Sequence, residues 1–184
     1  MDGLASSRAE VNAMEMLCTL RSATEAQHQA LLKAPERLQD FLDDEEDFGD
    51  AEGVKFLELD IGESWHGLQY LMTGKAWEGT APLDFLVRGG EDVGDIPSDE
   101  GTARVFQPAE VKKLSESLHA LPLDTLRGRF DAGKMQQLDI YPVLWDEPAD
   151  DADPLAELVS YFAELRKFVS QVAQRGHALL VHIG

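Results

Sequence analysis

The chain has 184 residues, enough for one domain that buries roughly 70% of its unfolded surface. Its 35 acids against 16 bases give a net charge of −19, which repels DNA, RNA and anionic lipid surfaces, whose recognition needs lysine and arginine. Apolar residues make up 43%, so the chain has the material for a packed core, and its electrostatically complementary partners are basic proteins.

Cys18 is the single cysteine, which excludes an intramolecular disulfide and a cysteine-based zinc site. No basic stretch followed by an apolar run opens the sequence, and no apolar run approaches the roughly 18 residues of a membrane span. The expectation is a cytoplasmic protein with no membrane association and no nucleic-acid partner. Residues 1–13 are polar and small and read as an extension ahead of a single domain over 14–184.

Met14–Leu20 alternates loosely and is read as a first strand with Cys18 inside. Thr24 is an N-cap for a helix with Ala26, Ala30 and Leu31, and Pro35 opens a second short helix bearing Leu38, Phe41 and Leu42. Asp40–Glu52 holds eight acids and no base. Its acids Asp43 to Asp47 are consecutive, whereas a calcium loop alternates its ligands around a central glycine, so this reads as a solvated loop.

Leu57–Gly74 is read as one helix. Leu57, Ile61, Trp65, Leu68, Leu71 and Met72 form its apolar stripe, Gly74 is its stop, and Glu63, His66 and Tyr70 lie on the opposite face. A loop with Trp77 follows, then a short strand over Leu83–Val87. The segment from Gly89 to Gly101 is glycine-rich but matches no phosphate-loop pattern, and its five acids repel phosphate. Thr102–Phe106 is a strand, and Pro108 opens a helix with Val111, Leu114, Leu118 and Leu121. Further helical turns carry Leu126 and, capped by Asp131, Met135; the residue before Pro142 makes Asp139–Pro142 extended. Trp145 sits before a second acidic loop, Asp146–Asp153.

Asp153-Pro154 is an N-cap with a proline at the first helical position, and the apolar positions from Leu155 to Val172 hold helical spacing until Gly176. The apolar run His177–Ile183 belongs in the middle of a sheet covered on both faces. The fold class is therefore α+β: one three-layer domain, a small mixed sheet of about four strands, and helices on both faces.

Trp65-His66-Gly67-Leu68 with Leu71-Met72-Thr73-Gly74, then Leu83 to Gly90, Phe130-Asp131, Asp139-Ile140-Tyr141-Pro142 and the terminal helix and strand, resemble the YfbM-like family, domain-of-unknown-function family 1877. The resemblance runs from about Met14 to the end of the chain. It implies a single mixed domain with a layered sheet and implies no activity.

The strongest candidate site joins Asp60, Glu63, His66 and Tyr70 with Asp139, Tyr141 and Trp145. A carboxylate three residues before His66 would raise the imidazole pKa and make a general acid or base, with Glu63 or Asp139 assisting. Tyr70, Tyr141, Trp145 and Trp77 would line an aromatic binding pocket around it. The plainer alternative is that Asp60 caps the helix, Trp65 is core, and His66 and Tyr70 sit on an ordinary contact face.

Ser64 lacks the Gly-x-Ser-x-Gly spacing, and buried Cys18 would be inert. His177 and His182, five apart on a strand, face opposite sides. A single ion held by His66 with Glu63 and Asp139 is the minor alternative, and the expectation is no metal and no cofactor. Two functions remain: a non-catalytic binding or inhibitory module for a basic protein partner, or a small enzyme using His66. Mimicry of nucleic acid by the acidic surface is a third, weaker reading.

Overall fold

The structure, a computed structural model, describes residues 15–43, 56–95, 101–148 and 150–184. In chain order it contains β1 (Cys18–Ala23), α1 (Glu25–Lys33), α2 (Leu38–Leu42), β2 (Glu58–Gly62), α3 (Trp65–Thr73), β3 (Glu91–Asp92), β4 (Thr102–Phe106), α4 (Pro108–Ala120), α5 (Leu123–Arg129), α6 (Ala132–Gln137), α7 (Pro154–Arg175) and β5 (Ala178–Ile183). The extension at 1–13 and residues 44–52 of the first acidic loop lie outside the described residues.

The terminal apolar strand β5 takes the centre of a sheet ordered β2-β1-β5-β4-β3. The sheet has five strands rather than about four, and every pairing is antiparallel rather than mixed. The fifth strand is the two-residue β3, inside the glycine-rich segment where no alternation announces it. The both-sided apolarity of β5 reflects helices on each face of the sheet, not parallel neighbours. On one face Leu20, Leu179, Val181 and Ile183 pack with α3, α4, α5 and α7. On the other, Val105 and Leu180 pack with Leu31 of α1 and Phe41 of α2.

Caps appear where the sequence places them. Thr24 accepts from the Gln27 amide in a full capping box, and Asp131 and Asp153 accept from the Lys134 and Ala156 amides. Gly74 and Gly176 stop their helices in the left-handed conformation. Asp153→Ala is expected to cost about 1 kcal/mol, read as a lowered urea midpoint with an unchanged slope.

Four local readings are corrected. β1 begins at Cys18, not Met14, because the Met16 amide and carbonyl bond to Tyr141 Oη (3.1 Å) and Trp65 Nε1 (2.8 Å) instead of a strand. The single helix over 57–74 is a strand and a shorter helix: Leu57, Leu59 and Ile61 follow a period of two, and Gly62 at φ +52° breaks the chain between them. Asp60 therefore caps no helix, and its Oδ1 accepts from the Gly62 amide at 2.7 Å.

Leu83–Val87 is a series of turns, not a strand. Its Phe85 and Leu86 carbonyls bond to the Arg104 guanidinium at 2.9 and 2.7 Å rather than to a neighbouring strand. Asp139–Pro142 is a turn rather than extended, with Asp139 at φ +52° and the Ile140 amide bonded to the Met135 carbonyl. No helix among the described residues is long and apolar enough to cross a membrane.

Candidate functional site

Helix α3 is buried from Trp65 through Met72, so it has no free face: His66 is 0% and Tyr70 3% exposed. Two devices hold it. Gly67 lets the Trp145 ring lie against the helix, since a Cβ there would sit 2.7 Å from that ring. At the far end, Arg129 donates to the Leu71 and Met72 carbonyls at 2.8 and 2.7 Å, supplying positive charge where the helix dipole is negative.

Both His66 nitrogens are committed. Nδ1 accepts from the Tyr141 backbone N–H at 2.8 Å, so Nε2 carries the proton and donates to the Ala76 carbonyl at 2.9 Å. Trp65 stacks on the imidazole at 4.8 Å and Trp77 lies against it at 4.3 Å. Burial pushes the His66 pKa down to about 4, against a smaller upward pull from the Ala76 bond. The expected upward shift from Glu63 is thus reversed. That carboxylate lies ahead of α3 and accepts instead from Tyr141 Oη at 2.9 Å. Burial and the neighbouring Glu63 raise the Tyr141 pKa, partly opposed by the Met16 amide.

The structure therefore brings Glu63, His66, Trp77 and Tyr141 together around Trp65. It leaves Asp139 exposed on its turn and Tyr70 in the core. Among the described residues no group of three or more histidines, cysteines or acids is placed to hold a metal ion.

A cleft of about 360 Å³ opens beside Glu63. Its apolar walls come from Leu17, Leu144, Trp145 and Tyr161, its charges from Glu63 and Glu157, and among the described residues no lysine or arginine lines it. Trp145 is 8% exposed and fixed by its Nε1 donating to the Ile140 carbonyl at 2.7 Å, whereas Leu144 is 66% exposed at the mouth. A shallower acidic depression with Asp60, Ser160 and Glu164 continues from it through the shared Glu157 and Tyr161. Of the residues singled out from sequence, Glu63 and Trp145 line this cleft and Tyr141 bonds to it through Glu63. The missed residues carry a signal of their own: Glu157, Ser160, Tyr161 and Glu164 recur at three and four along α7, on the flank of its buried stripe.

The family description "Domain of unknown function (DUF1877)" matches residues 14–182. Among solved structures, the crystal structure of YfbM from Escherichia coli, described as a protein of unknown function, matches at a TM-score of 0.70 and 18% identity, over 92% of this chain and 100% of that one. At that identity the likeness speaks to the fold alone. No curated protein matches the chain.

Proposed function

The chain belongs to the DUF1877 family of domains of unknown function, and because that membership carries no activity we propose a function from the cleft itself: a non-catalytic module that docks a basic, partly apolar segment of a protein partner. The observation that carries this reading is the lining of the cleft, in which Glu63 and Glu157 flank apolar walls and, among the described residues, no cation competes. The acidic depression beyond it extends the same charge along α7. A net charge of −19 adds long-range attraction, which raises association rates for cationic partners and weakens with salt. The acid–base alternative draws no support from His66, whose ring nitrogens both face backbone groups.

A short synthetic peptide of alternating lysine and leucine tests this by calorimetry. The expected result is saturable one-to-one binding that weakens as salt rises. Glu157→Gln and Glu63→Gln should each weaken it several-fold, while Glu116→Gln on the exposed face of α4 should not. Equal loss in all three variants would mean diffuse attraction to net charge, and no binding at low salt would remove the proposal.

A further inference from the structure

We propose that a second pocket, between the 81–90 turns and α4, binds a free α-amino acid with an apolar side chain. The pocket encloses about 290 Å³, at the small end of ligand sites, and shares no residue with the cleft beside Glu63. Asp84 lines it although that residue is only 6% exposed, and among the described residues no hydrogen bond or ion pair reaches its carboxyl group. The small surface that Asp84 keeps lies in the lining of this pocket, so a cation bound there is the partner its carboxylate could take. Arg104 acts on Asp84 through charge alone, because the guanidinium donates to the carbonyls of Phe85, Leu86 and Gly89.

The remaining lining completes a three-part pattern. Phe106, set edge-on to Phe85 at 6.2 Å, supplies an apolar wall. Gly90, at φ +72°, keeps the adjacent wall open, since a Cβ there would sit 3.0 Å from the Val105 carbonyl and 3.2 Å from the Phe106 ring. Arg88 and Lys113 stand exposed at the rim, neither in an ion pair among the described residues, and the further acid in the lining, Glu110, accepts from the Gln107 amide at 2.8 Å. A buried anion, an apolar wall and two rim cations match an ammonium, an aliphatic or aromatic side chain and a carboxylate on one small molecule. An amine alone would leave the rim cations unused, and an N-acylated amino acid would offer Asp84 no charge.

The full chain is titrated separately with L-leucine, L-methionine and L-phenylalanine, followed by calorimetry and by amide shifts. At least one should bind saturably, with shifts over Asp84–Gly90 and at Lys113. The N-acetyl derivative and the carboxamide of that amino acid should each bind about tenfold more weakly, the worth of one charge-assisted contact. Asp84→Asn should weaken binding by about the same factor. Lys113→Gln, a rim change that leaves the core untouched, should weaken the amino acid several-fold and its carboxamide hardly at all, which decides the matter even if the Asp84 variant fails to fold. Three results would each overturn the proposal: no binding by any of the three, an N-acetyl form that binds as well, or a carboxamide that binds as well. The last would point to the N-terminal residue of a peptide instead.

Discussion

Replacing Trp65 by alanine is expected to destabilise the fold by about 3–5 kcal/mol, the range for removing a large buried aromatic, out of a total of roughly 5–15. Trp65 is 3% exposed, stacks on His66, and meets Tyr141 and Trp77 at 5.9 Å. Its Nε1 also donates to the Met16 carbonyl, two residues before β1. Alanine would leave a cavity under the imidazole and strip that carbonyl of its donor. Trp65→Phe keeps an aromatic ring and loses the hydrogen bond, so about 1–2 kcal/mol is expected. Urea unfolding of the three proteins checks the order. A cost below about 1 kcal/mol for alanine would show that this ring is not the anchor of the first core cluster. Because Leu17 lines the cleft next to Met16, the phenylalanine variant should also weaken peptide docking.

Much of the fold is legible in local chemistry. The Asp153-Pro154 start, the long apolar stripe and Gly176 specify α7 with no reference to the rest of the molecule. The both-sided apolar run that follows specifies a central strand, and β5 is central. The errors fall where a distant side chain replaces a backbone partner. Leu83–Val87 has the composition of a strand, but its carbonyls are satisfied by Arg104, eighteen or so residues away, so no ladder is needed. The 57–74 reading failed differently. Leu57 and Ile61 fit a step of four as well as a step of two, and the tie is broken by pairing with β1, where Leu59 sits opposite Leu20.

The candidate site was half legible for the same reason. Glu63, His66, Tyr141 and Trp77 do converge, but helical spacing implied that Glu63 would face His66. Once β2 and Gly62 end the strand, Glu63 precedes α3 and turns to Tyr141. Asp139, expected to assist His66, instead sits in a left-handed turn and is exposed. Arg104 gave only a weak sign, a lone cation inside the apolar strand Thr102–Phe106.

The buried imidazole sets the second large expectation: lowering the pH from 7 to 5 should remove about 2 kcal/mol of stability through His66 alone. In the unfolded chain the ring has an ordinary pKa near 6.5, whereas burial holds it at about 4 in the fold. Between those values the unfolded state takes up a proton that the folded state refuses, so the stability present above pH 6.5 is lost as pH falls toward 4. The geometry gives the same sign, since a proton on Nδ1 would confront the Tyr141 N–H that now donates to it. Burial also lowers the pKa values of His177 and His182, with Arg175 adding to the effect at His177, so both act in the same direction. His66→Gln isolates the term. Whatever it costs at pH 7, its further loss between pH 7 and 5 should be about 2 kcal/mol smaller than that of the parent. Ring nitrogen shifts in the folded protein should show the neutral, Nε2-protonated tautomer at pH 5. A ring that titrates near pH 6.5 in the fold would contradict its burial and return His66 to the list of usable acids and bases.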